Sequence, residues 1–103
     1  LNLTPRQGGE TPSNWRAFRL EHNREEGDRD VRSLGAATSL RFRTARGTCV
    51  KDSYLSGSGN AYIEIACLIT GARTGVVAVG AAPPSAWSRQ SGVIERAIEG
   101  VEA

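Results

Sequence analysis

Apolar and polar residues alternate along much of the chain, the period expected of half-buried strands. In "NWRAFRLEH" (Asn14–His22), Arg16, Phe18, Leu20 and His22 share one face and Trp15, Ala17, Arg19 and Glu21 the other. This predicts a strand over 15–22, although Trp15, Phe18 and His22 also fit helical spacing. "TSLRFRT" (Thr38–Thr44) alternates again, with Leu40 and Phe42 against Arg41 and Arg43, and "ARG" (Ala45–Gly47) follows as a short hairpin loop. Further strands are expected at 48–56, 61–70 and 75–82. The last two are joined at "GARTG" (Gly71–Gly75), with Val77 and Val79 opposite Ile69 and Cys67.

The most turn-like stretch is "SGSGN" (Ser56–Asn60). A hairpin centred on Ser58 pairs residues whose numbers sum to 116, so Cys49 falls opposite Cys67, Val50 opposite Ala66 and Tyr54 opposite Tyr62. Two cysteines directly across antiparallel neighbours have β-carbons close enough to be bridged. The alternative is two buried thiols packed as small apolar residues. Two cysteines and one distant histidine match no metal-ligand spacing.

The period changes after "PPS" (Pro83–Ser85). Trp87, Ile94, Ile98 and Val101 then recur at helical spacing, with Ser91 and Ala97 on the same face. Ser85 is the expected N-cap, and the stripe is expected to close over an isoleucine–valine face of the sheet. Residues 1–13, rich in Pro, Gly and polar groups, read as an extended leader, and 14–103 as a single domain. Residues 23–37 carry charge at seven of the nine positions from Arg24 to Arg32 and have no apolar stripe, the pattern of a solvated loop. The fold class implied is α+β: an antiparallel meander of about five strands with a C-terminal amphipathic helix packed on one face.

Composition narrows this picture modestly. A chain of 103 residues makes one small domain, for which a covalent staple is useful. It lacks an apolar run of membrane-spanning length. It has no Met and no signal-peptide pattern, as expected of a processed chain. Twelve arginines against one lysine, with abundant Ala and Gly, point to a GC-rich genome such as an actinobacterium's. Residues 1–46 carry +3 and residues 47–103 carry −1. That asymmetry is too weak for specific nucleic-acid binding.

Candidate chemistry is sparse. His22 is the one histidine, so a Ser–His–Asp or Cys–His unit would have to use it. The carboxylate pairs Glu25/Glu26 and Asp28/Asp30 sit in the charged loop, where catalytic groups are poorly held. "LSGSGNA" lacks the lysine and following helix of a phosphate loop. The basic residues Arg41 and Arg43, less surely Lys51, lie on strands near the Tyr54/Tyr62 pair. Together these five form the expected contact surface on an uncovered sheet face, suited to a protein or an anionic ligand. No cofactor is expected.

The C-terminal segment "CLITGARTGVVAVGAAPPSAWSRQSGVIERAIEGVE", with "AAPPSAW" and the spacing from Trp87 to the helix end, resembles the end of PsbP-like domains. That family includes secreted actinobacterial lipoproteins and kinase-sensor-like domains. The resemblance implies an antiparallel sheet with packed helices and no shared catalytic set. Such domains often close with an aromatic where this chain has Val101. The expected function is a non-enzymatic, secreted or cell-surface binding or accessory module. The rivals are a secreted inhibitor or immunity-type protein and a small secreted enzyme using His22.

Overall fold

A computed structural model describes residues 1–43, 45–71 and 74–101. Five strands form one open antiparallel sheet: β1 (Asn2–Pro5), β2 (Arg29–Ala36), β3 (Arg46–Leu55), β4 (Ala61–Thr70) and β5 (Gly75–Ala82). Their spatial order is β1-β5-β4-β3-β2. Helices α1 (Trp15–Glu25) and α2 (Trp87–Glu99) pack on opposite faces, and a 3₁₀ turn (Pro84–Ala86) leads into α2. The fold is α+β with a C-terminal helix against the sheet, as the periodicity implied.

The central hairpin has the expected register. Cys49 pairs with Cys67, Val50 with Ala66 and Tyr54 with Tyr62. The two cysteines form a disulfide across Cα atoms 4.1 Å apart. Ser56 closes the turn by donating its N–H to the Asn60 carbonyl at 2.8 Å, and Gly59 supplies the positive φ. The next hairpin differs by one residue. Val76 faces Ile69 and Ala78 faces Cys67, so Val77 and Val79 project to the other side. A one-residue slip exchanges the faces of a whole strand. Here it puts Val76 and Ala78 on the α2 side and Val77 and Val79 on the side of Trp15. Ala72 and Arg73 of the connecting turn lie outside the described residues.

Both faces of β4 are therefore covered, which explains why Glu64–Ile69 are buried without alternation. On the α2 side, Ile65, Cys67, Ile69, Ala78 and Ile98 form the core, with Trp87, Ile94 and Val101 packed against it. The predicted stripe of α2 is thus the buried one, except for Ala97, which is exposed. Ser85 does not cap α2. It sits within the 3₁₀ turn, and Ala86 occupies the N-cap position without a side-chain bond.

Three segments depart from their expected state. Residues 15–22 are helix rather than strand, because Arg, Ala, Leu and Glu are good helix formers and the 15/18/22 spacing puts Trp15 and Phe18 on the second core. Trp15 is 1% exposed and donates Nε1–H to the Ala66 carbonyl at 2.9 Å. Gly27, at φ 93°, ends α1 with paired bonds from Gly27 N–H to Arg24 and from Asp28 N–H to Asn23. Residues 29–36 of the supposed solvated loop form β2, an irregular and mostly exposed edge strand that carries no apolar alternation. Residues 38–43 form no strand. Leu40 and Phe42 do turn inward onto the α2-side core, but Arg41 donates its backbone N–H to Glu99 Oε2 at 2.6 Å instead of to a neighbouring strand. Thr44, the last residue of that predicted strand, lies outside the described residues.

The supposed leader is built into the sheet. Asn2–Pro5 pair with Val76–Val79. Glu10 is fully buried and accepts N–H bonds from Gln7 at 2.9 Å and Gly8 at 2.6 Å. Burial alone would raise its carboxyl; those amides, with Arg6, hold it below the ordinary carboxylate range.

Candidate functional site: a cleft beside a buried acid pair

The face shared by Tyr62, Glu64, Ala66 and Leu68 is the one α1 covers. This helix packs mainly on β2 and β3, with Trp15 reaching across to β4. The β5–β1 half of the face is left as the floor of a cleft of about 750 Å³. Val77, Val79 and Ala81 form its base, β1 and the following residues one wall, and Phe18, Arg19, His22 and Glu26 of α1 the other. Tyr54, Glu64 and Asp28 close one end. A volume of this size falls within the range of small-molecule sites.

Behind that end lies a polar cluster that the sequence reading did not pick out. Asp52 and Glu64 are direct cross-strand partners, 1% and 2% exposed. Arg19 forks onto Glu64, with Nε to Oε1 at 3.0 Å and Nη2 to Oε2 at 3.3 Å. Asn23, also buried, donates Nδ2–H to Glu64 Oε1 at 2.8 Å and, more weakly, to Asp52 Oδ1 at 3.4 Å. Among the described residues, Asp52 Oδ2 has no hydrogen-bond partner. Burial, then the neighbouring charge of Glu64 and a hydrogen bond to it, push the Asp52 carboxyl up to about 8. The shift favours the protonated form of Asp52 beside Glu64, in which Oδ2 is a donor rather than an unpaired acceptor. Asp28 is raised in the same direction, first by burial and then by Glu64 and Glu26. Burial chiefly, with Glu64, Asp28 and Asp52, pushes the Tyr54 phenol up to about 12.

The signal for this cluster was present in the chain. A register summing to 116 sets position 52 opposite position 64, and the helical reading of 15–22 would have brought Arg19 and Asn23 to the same face. Reading 15–22 as a strand hid the second half.

The five residues expected to form one contact surface are dispersed. Arg41 and Arg43 lie on the irregular segment before β3, where Arg41 Nη1 donates to the Thr38 carbonyl at 3.2 Å. Lys51 is on the Cys49 face of β3, opposite to Tyr54. Tyr54 and Tyr62 do meet, with ring centroids 5.7 Å apart, and Tyr54 alone of the five lines the cleft. The part of that sheet face nearest Tyr54 is not uncovered, because α1 packs on β2 and β3. His22 also lines the cleft, with Nε2 3.1 Å from Glu26 Oε1. Glu25 is exposed, and Asp30 pairs with Arg32 at 2.9 Å in β2. Among the described residues no cluster has the make-up of a metal site, and no helix is long and apolar enough to cross a membrane.

The class defined by these features is an α+β domain with an open antiparallel sheet between two helices. No family model, curated protein or solved structure matches the chain.

Proposed function

We propose that this chain is a non-enzymatic, extracytoplasmic binding module whose ligand enters the cleft between α1 and β1. The observation carrying this reading is the cleft itself: an apolar floor of Val77, Val79 and Ala81 meeting convergent polar groups at one end. The disulfide favours an oxidising compartment. The C-terminal likeness to PsbP-like domains points toward binding without a shared catalytic set. A hydrolytic reading through His22 is less well supported, since no serine or cysteine is among the described lining residues and the ring faces Glu26.

The test is a fragment screen by amide NMR on the oxidised protein. Hits should shift resonances of Phe18, His22, Val79 and Ala81 together. Ala81→Trp, which fills the cleft from an exposed position, should abolish those shifts and leave the rest of the spectrum in place. Hits that persist in Ala81→Trp, or that cluster elsewhere on the surface, would refute the assignment.

A further inference from the structure

We infer that the ligand of this cleft is an organic cation, an ammonium- or amidinium-type group carried on an apolar body; this rests on the cleft being the binding site. The inference comes from an imbalance of charge at one end. Glu26, Asp28, Glu64 and, behind them, Asp52 gather there against one guanidinium, that of Arg19, and the imidazole of His22. Arg19 is already committed to Glu64 in a two-point contact. Among the described residues Asp28, which lines the cleft, makes no salt bridge.

Burial and mutual repulsion raise both Asp28 and Asp52, the direction expected where acids crowd together. A positive charge seated beside Asp28 and Glu64 relieves the same repulsion. The surroundings suit a cation with a hydrocarbon stem: the aromatic side chains of Phe18 and Tyr54 line the cleft, and Val77 and Val79 continue as an apolar track. A free anion placed there would meet the carboxylates first. At the other end, Arg6 is engaged with Glu10, donating to its carbonyl at 2.6 Å, so it offers no open counter-charge.

Three probes of equal length separate the possibilities: hexylammonium, hexanol and hexanoate, each titrated into the oxidised protein and followed by amide NMR. Hexylammonium should bind in the cleft roughly fivefold more tightly than hexanol, the scale of one partly exposed ion pair. Asp28→Asn should erase that preference without changing hexanol binding. Glu26→Gln, at an exposed position where folding is not at risk, should reduce it, and added salt should weaken it. If hexanol or hexanoate binds in the cleft as tightly as hexylammonium, the cation assignment is overturned and the cleft stands. If none of the three probes, and no hit of the fragment screen, shifts the cleft residues, the cleft reading falls and this inference falls with it.

Discussion

Replacing Asp52 by asparagine tests whether the interior of this protein stores a proton. The amide keeps the size of the carboxylic acid and can still donate to Glu64 and accept from Asn23, so only titration is removed. In the wild type, burial and Glu64 move Asp52 from 3.8 to about 8. Between those values the folded chain binds a proton that the unfolded chain has released. Unfolding free energy must then fall as pH rises, by about 1.4 kcal/mol per pH unit for one such group. The contribution is complete below pH 4, shrinks through neutrality and is gone once pH passes about 8. Asp28 is raised and adds to the slope in the same sense; Glu10 is lowered, and its contribution is lost only on acidification. Comparing the wild type with Asp52→Asn isolates the one group. Urea denaturation at pH 5, 6, 7 and 8, followed by far-ultraviolet circular dichroism, should show the two stability curves converging and then crossing in favour of Asp52→Asn as pH rises. Parallel curves across that range would refute the protonated interior acid.

Two further outcomes follow from the packing. Reducing the Cys49–Cys67 bridge, or replacing both residues by alanine, removes a cross-link between positions 18 apart in sequence; thermal unfolding should report a loss of about 3 kcal/mol, the chain-entropy value for such a loop. Gly80→Ala places a methyl group where Ile94 of α2 sits, with overlap and no free space. It should cost roughly 1–3 kcal/mol in chemical denaturation, and Gly80→Ala combined with Ile94→Val should recover part of that loss.

Much of the α2 half of the molecule was legible. The Cys49–Cys67 register followed from one turn centre, and the Trp87–Val101 stripe from helical spacing, because both are local patterns. The α1 half was not. Arg16, Leu20 and His22 alternate with Trp15, Ala17 and Arg19 well enough to imitate a strand, and the burial of Trp15 and Phe18 on one core selects the helical spacing instead. β2 escaped because an edge strand wetted on its flank carries no apolar period. Leu40 and Phe42 did point inward as their alternation implied, yet a buried alternation does not require a hydrogen-bonded partner. The cleft lies between two segments misjudged in this way, α1 and β1, so its location could not be reached from the pattern. Its acidic end could have been, since Asp52 and Glu64 stand across the one hairpin whose register was right.

That hairpin carries two rungs of opposite character. Three residues beyond the sulfur bridge, on the reverse side of the same ladder, two acids are held face to face. Left to themselves, such neighbours favour sliding the strands past one another. A covalent tie at positions 49 and 67 forbids the slide, so oxidation on one surface of the sheet enforces an electrostatically reluctant meeting on the other. The upward shift at the acid pair thus goes with an alignment that the sulfur atoms help to hold.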